Sequence, residues 1–157
     1  MRIGQGIDVH RVSDQHDRAL WLGLVHVPHA PGLDGHSDAD VATHALCDAL
    51  LGAANLGDLG RFFPDSDPAF AGASSRRLLE GTVALVHAEG YRVVSGDVTI
   101  IAERPRLALY MPAMSRELSS VVGATVSVKA TTAEGLGALG RVEGIGASAV
   151  VLIEDQA

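Results

Sequence analysis

From Arg2 to Val12 small or apolar residues alternate with polar ones, the period of a strand with one covered face. Between residues 19 and 28, Gly and Pro punctuate a second pair of short strands, and Gly32 to Gly35 read as a loop. From Ser37 the period lengthens: Val41, Ala45, Ala49 and Gly52 form one stripe, with Leu46, Leu50 and Ala53 beside it. This predicts an amphipathic helix, and Ser37 with Asp40 three residues on resembles a capping box that starts it at Ser37. Residues 55–73 predict a long loop, of the length that usually carries function. Helix returns over 74–89 on Leu78, Leu79, Val83, Val86 and His87. A strand follows over 91–103 and ends before Pro105; a third helix over 107–122 is started or kinked by Pro112; strands over 125–130 and 143–154 close the chain.

The last strand carries Ile145, Ala147, Ala149, Val151 and Ile153 on one face and Val150 and Leu152 on the other, so both faces read as buried. Three helices cover one face of such a sheet. The expected fold is therefore α/β in the α+β sense, one domain over 1–157 with a mixed sheet, helices on one face and a second copy of the chain on the other. Aromatic residues are only 4% of the chain, so Ala, Val, Leu and Ile must fill the core, with Trp21 expected among them.

A net charge of −7 argues against nucleic acid and anionic membrane as partners, because both select clustered Lys and Arg. An anionic substrate would need metal ions or backbone N–H groups to supply positive potential. No run approaches the roughly 20 apolar residues of a membrane span, the first residues lack the apolar core of a signal peptide, and the cytoplasm is the expected location. Cys47, the one cysteine, reads as a small buried hydrophobe.

Asp8 and His10 stand two apart in the first strand and so leave the same face. His44 shares a helix face with Asp40 and Asp48. One carboxylate and two imidazoles form the three-ligand set of a catalytic zinc with an open fourth position; an exposed polar strand edge is the competing account. Gly35-His36-Ser37-Asp38 at the expected helix start suits an anion, or is an ordinary cap. Gly57-Asp58-Leu59-Gly60 and the acidic run Phe63 to Pro68 read as a turn-rich loop. Lys129-Ala-Thr131-Thr132-Ala-Glu134 sets a cation, two hydroxyls and a carboxylate in one turn, a mixture suited to a metal-bridged phosphate. His16, His26, His29 and His87 match no motif and read as solvated or packing residues.

Taken in order, Gly6-Ile-Asp8-Val-His10, Gly35-His36-Ser37-Asp38-Ala-Asp40-Val, His44-Ala-Leu-Cys-Asp48, Gly57-Asp58-Leu-Gly60, Phe63-Pro-Asp65, Lys129-Ala-Thr131-Thr132 and Gly140-Arg141-Val-Glu143-Gly144 closely resemble the 2-C-methyl-D-erythritol 2,4-cyclodiphosphate synthases. The resemblance runs nearly end to end. It implies a homotrimer with active sites at subunit interfaces, acting as a metal-dependent phosphorus–oxygen lyase in the non-mevalonate route to isoprenoids. The implied substrate is 4-diphosphocytidyl-2-C-methyl-D-erythritol 2-phosphate, whose 2-phosphate attacks the β-phosphorus, releasing CMP and closing a cyclic diphosphate.

The same resemblance implies Zn2+ on Asp8, His10 and His44, and Mg2+ or Mn2+ on Glu134 with the diphosphate. His36 and Thr132 would stabilise the transition state, and Ser37 would hold the 2-phosphate. Asp58, Leu59, Gly60 and the loop Phe63, Pro64, Asp65, Ser66, Asp67 would contact the erythritol, while Ala102, Pro105, Arg106 and Leu107 would take the cytidine and Thr131 the phosphates. Arg141 and Glu143 would border a central cavity. Ala39 stands where the family often has Gly, Arg106 where it has Lys, and Ala138, Leu139 and Val142 also depart from its pattern. Val142, being β-branched, is poorly suited to a positive φ. A zinc phosphohydrolase and a trimeric binding module without catalysis are the competing functions.

Overall fold

The computed structural model describes residues 1–64 and 72–156. The elements run β1 (Arg2–Arg11), β2 (Leu20–Leu22), β3 (Val25–Val27), α1 (Val41–Ala53), α2 (Leu59–Phe62), α3 (Ser75–Ala88), β4 (Tyr91–Ile101), α4 (Met111–Val122), β5 (Thr125–Thr131), α5 (Gly137–Gly140) and β6 (Gly144–Asp155). The main sheet has the order β1-β6-β4-β5, antiparallel except for the parallel pair β4 and β5, and β2 with β3 forms a separate hairpin. The expected mixed sheet is present.

From Gly4 onward the even-numbered residues of β1 lie on the face that meets α1, and the first two of these, Gly4 and Gly6, are glycines. A Cβ on Gly4 would stand 1.9 Å from the carbonyl oxygen of Ala49, and one on Gly6 would stand 2.1 Å from that of Ala45. Only glycine lets the helix backbone lie this close to the strand. The core then forms between α1, α3, α4 and the covered sheet face, with Leu46, Leu50, Met114, Leu118, Val98 and Ile100 wholly buried. In β6, Ile145, Ala147, Ala149, Val151 and Ile153 are all buried on that face.

The opposite sheet face is bare within one chain. Ile3, Ile7, Val9 and Val150 are exposed there at 73%, 62%, 57% and 40%, and the register places Ile3 opposite Leu152 and Gln5 opposite Val150. The expectation that both faces of β6 are buried therefore fails for the isolated chain. An apolar stripe of this kind marks a surface made to be covered.

Helix α1 begins at Val41, not Ser37. Asp40 is its N-cap, with a wholly buried carboxylate that accepts from Thr43 N (3.0 Å), Thr43 Oγ1 (2.6 Å), Gly23 N and Leu24 N (both 2.8 Å). The cap thus also ties the β2–β3 hairpin to the helix, which fixes the start at Asp40 over the competing Ser37. Pro112 starts α4 near its first turn and does not kink it; residues 107–110 precede the helix. The strand predicted to reach Glu103 stops at Ile101, and the predicted loop 55–73 contains the short α2. Trp21 is 37% exposed and stacks on His26 with centroids 5.5 Å apart, because Leu20 and Leu22 take the inward positions of β2. Cys47 is buried as expected, and that burial, with Asp48 and Asp40 nearby, pushes its thiol up to about 12.

Val142 does adopt a positive φ of 62°, and Ala39 one of 56°. Val142→Gly should remove a strain of about 1–2 kcal/mol while adding unfolded-state entropy, for a net gain of about 0.5–1 kcal/mol. Calorimetry should read this as a melting temperature raised by about 1–4 °C. Gly6→Ala should act in the opposite sense, costing about 1–3 kcal/mol as α1 is forced off β1 and lowering Tm by about 3–10 °C. Unchanged melting in Gly6→Ala would contradict the close approach described here.

Candidate active site

Past Gly6 the covered face of β1 emerges from beneath α1, and its next two residues are Asp8 and His10. His44 lies in the first turn of α1, one residue before the Ala45 that Gly6 touches. Asp8 Oδ2 is 3.0 Å from His10 Nε2 and 3.1 Å from His44 Nδ1, and one ligand atom from each residue lies within 4.8 Å of the others. The predicted ligand set is thus assembled.

The hydrogens around this triad show what it fits. His10 Nδ1 is 2.5 Å from the carbonyl oxygen of Asp34, an acceptor, so Nδ1 donates and a neutral His10 turns the lone pair of Nε2 on Asp8. A carboxylate oxygen facing imidazole lone pairs needs a cation between them, a proton or a metal. Two tetrahedral ligands at about 2.0–2.1 Å from a zinc-sized ion lie about 3.3 Å apart, close to the spacings found. Protons fill this role when no metal does. Burial alone would raise the Asp8 carboxyl, but its hydrogen bonds and charge interactions with His10 and His44 outweigh that and hold it well below the usual range. The hydrogen bond to Asp8 raises His10 against the opposing effect of burial.

A cleft of about 440 Å3 opens over the triad and is lined also by His36, Ser37, Asp58, Leu59, Gly60 and Phe63, all predicted from sequence. It also takes in Gly35, Asp48 and Leu78, which the sequence reading did not place there. Asp48 accepts from Leu59 N at 2.8 Å, and burial raises its carboxyl pKa. His36 to Asp38 lie in the loop before α1 and not at its first turn, so the expected helix-end anion site is displaced. The loop is held from behind by Arg18, whose guanidinium donates to the carbonyls of Gly35 (2.8 Å) and Ser37 (2.6 Å). Pro64 lies outside the cleft lining, and Asp65, Ser66 and Asp67 lie outside the described residues.

The remaining predicted residues gather elsewhere. Ala102, Pro105, Arg106, Leu107, Thr131 and Thr132 line a second cleft of about 1090 Å3, which among the described residues shares no lining residue with the first. At its edge Thr132 Oγ1 donates to Glu134 Oε1 (2.9 Å), and Glu134 sits at a φ of 51°. Glu103, which the sequence reading passed over, accepts from Ala133 N (2.9 Å) and Gly135 N (3.0 Å) and so clamps this turn. Lys129 is not part of the turn: it lies within β5 and pairs with Asp97, lowering that carboxyl. Arg141 and Glu143 pair with each other at 2.6 Å, outside both clefts.

The triad geometry makes His44→Ala decisive. Two protein ligands rarely retain a divalent ion, so elemental analysis should find about one metal per chain in the native protein and essentially none in the variant. Full retention of metal by His44→Ala would refute the assignment.

The YgbB family model matches residues 1–154. A 2-C-methyl-D-erythritol 2,4-cyclodiphosphate synthase of Symbiobacterium thermophilum is 55% identical, over 98% of this chain and 98% of its own. Among solved structures, the CDP-bound form of a 2C-methyl-D-erythritol-2,4-cyclodiphosphate synthase superposes with a TM-score of 0.88 at 36% identity, covering 98% of this chain and 100% of that one. The bifunctional IspDF of Campylobacter jejuni matches with a TM-score of 0.92 and 36% identity, over 98% of this chain but 42% of that longer one. With a triad that could hold a metal ion set on a glycine-backed strand and a family model that spans almost every residue, this chain belongs to the YgbB family.

Proposed function

We propose that the protein is a 2-C-methyl-D-erythritol 2,4-cyclodiphosphate synthase, working as a homotrimer in the cytoplasm. Its substrate would be 4-diphosphocytidyl-2-C-methyl-D-erythritol 2-phosphate. A 2-phosphate oxygen forms a bond to the β-phosphorus, the bond from that phosphorus to the α-phosphate oxygen breaks, and CMP leaves with the bond's electron pair. This is phosphorus–oxygen lyase chemistry. The observation that carries the reading is the Asp8, His10 and His44 triad at the floor of a cleft in a chain so similar to named synthases.

Displacement of one anion by another needs positioning and charge neutralisation more than a strong base. Asp8, His10 and His44 would hold Zn2+, and Glu134 would hold Mg2+ or Mn2+; when bound, these ions neutralise and polarise phosphate oxygens. His36 and Ser37 line the same cleft as the triad, where an imidazole and a hydroxyl can hold the attacking 2-phosphate and the developing charge. Asp58, Leu59, Gly60 and Phe63 wall the cleft where the erythritol would lie. Pro64, Asp65, Ser66 and Asp67 follow in sequence and are proposed, from the family resemblance, to contact the same part of the substrate. In the second cleft, buried Ala102 and Leu107 with Pro105 and Arg106 offer an apolar slot and a cation for the cytidine half, and Thr131 and Thr132 offer hydroxyls to the phosphates. Arg141 would border a central cavity of the trimer.

The trimer brings these halves together in this reading. One substrate must meet both clefts, and the bare stripe of Ile3, Ile7, Val9 and Val150 gives the chain a face to bury against its copies. Each active site would then take its metal triad from one subunit and its cytidine slot from the next.

Incubation of the purified protein with the proposed substrate, Zn2+ and Mg2+ should yield CMP and a cyclic diphosphate by phosphorus NMR. The same preparation should scatter light as about three times the 16.3 kDa chain. Release of inorganic phosphate without a cyclic product would instead establish a phosphohydrolase, and CMP binding without turnover would establish a binding module.

A further inference from the structure

Behind His44, on the side away from Asp8, lies a polar chain that runs from the imidazole through Ser75 to the half-buried Asp38, neither of which lines the cleft. Its middle member is Ser75, the first residue of α3 and wholly buried. Ser75 Oγ is 3.1 Å from His44 Nε2 and within hydrogen-bond distance of Asp38 Oδ1, while Ser75 N donates to Asp38 Oδ2 at 2.9 Å. Ser37 Oγ also stands near the imidazole, at 3.3 Å from Nε2, and accepts from Ala39 N at 3.1 Å.

The direction of each bond follows from counting hydrogens. An ionised Asp38 accepts only, so the Ser75 hydroxyl proton points to Oδ1 and its backbone proton to Oδ2. With its own proton committed, Ser75 Oγ meets the imidazole as an acceptor. His44 must then carry its hydrogen on Nε2. The neutral ring is left with the lone pair of Nδ1 on the Asp8 side, where the triad needs a ligand.

We infer that Ser75, oriented by Asp38, is the positioning residue that fixes His44 as an Nδ1 metal ligand, leaving the Ser37 hydroxyl free for the cleft it lines. The inference rests on the reading of Asp8, His10 and His44 as a metal site. It joins the start of α3 to that site across 31 residues of chain. A hydrogen bond from the second ring nitrogen of a ligating histidine sets its orientation and basicity, and losing it typically weakens metal binding about 10- to 100-fold.

Asp38→Asn separates this role from simple support of the fold, because it keeps the shape and changes only the hydrogens. The amide brings two protons and one acceptor to a site that already holds three donors, the Ser75 hydroxyl, Ser75 N and, at 3.4 Å, Asp40 N, so the Ser75 hydroxyl must turn toward His44 and oppose the Nε2 hydrogen. Zn2+ affinity, measured by competition with a chromophoric chelator, should fall about 10- to 100-fold in both Asp38→Asn and Ser75→Ala. In the Zn2+-loaded native protein, 15N-resolved NMR should show a slowly exchanging His44 Nε2–H that is lost in Ser75→Ala. Circular dichroism confirms folding before either measurement, and if Asp38→Asn does not fold, Ser75→Ala decides alone. Native affinity and a retained Nε2–H signal in Ser75→Ala would overturn the inference and assign the role to Ser37. His44→Ala tests the underlying site separately: if it loses Zn2+ while Ser75→Ala does not, the site stands and the relay falls.

Discussion

The carbonyl oxygens of Ala45 and Ala49 occupy the space where β-carbons of residues 6 and 4 would stand, and the chemistry of the molecule depends on that closeness. With the helix backbone resting directly on the strand, the last buried turn of contact ends at Gly6 and Ala45. The next position along β1 on that face is Asp8, and the preceding residue of α1 is His44. Their side chains therefore converge without either leaving a regular element. A methyl group on the strand would lift the helix by an ångström or more, and a metal triad tolerates errors of a few tenths. The same constraint explains a core built from Ala, Val, Leu and Ile with few aromatics, since close backbones leave no room for large rings.

Acidic residues near the cleft resolve the apparent conflict between a net charge of −7 and an anionic ligand. Asp40 accepts four hydrogen bonds, Asp48 holds the first amide of α2, and Asp58 caps that helix through Arg61 N at 3.1 Å. Asp38 is engaged with Ser75, and Asp8 lies between two imidazoles. Apart from Asp8 Oδ2, which faces the two imidazoles, each of these carboxylates is matched locally by N–H or O–H dipoles. Formal charge counts them all equally, whereas the potential a phosphate meets depends on which of them face it unmatched.

Much of this was legible in the sequence because it rests on local periods. A two-residue step put Asp8 and His10 on one face, a helical step placed His44, and three predicted helices indicated a sheet covered on one side. The start of α1 was not legible, since Ser37, Asp38 and Asp40 are all competent caps. The choice was made by the amides of Gly23 and Leu24, which reach Asp40 from a hairpin that local pattern cannot bring near. Glu103 and Ser75 escaped notice for a similar reason: each acts through side-chain bonds that span 30 or more residues. Lys129 misled because its neighbours in sequence form a turn, while strand pairing of β4 with β5 directs it to Asp97. Val142 shows a different limit, for the turn after α5 sets its φ whatever its side chain prefers.

The division of the predicted site between two clefts bears on how such a protein must fold and assemble. Among the described residues neither cleft contains both the triad and a slot for a base, and within one chain the triad side is lined from β1, the loop before α1, α1, α2 with its flanking residues, and α3. In the proposed trimer, binding of a substrate that spans both clefts requires the sheet faces to be joined already. The exposed apolar stripe is then more than a patch awaiting cover. Burial of Ile3, Ile7, Val9 and Val150 would supply association energy on one face of β1 and β6, while Gly4 and Gly6 receive α1 on the other face of β1. One strand thus serves both faces. In that proposed assembly its odd residues would face the neighbouring subunits while its even residues carry Asp8 and His10, so a change that loosens the interface should also disturb the triad.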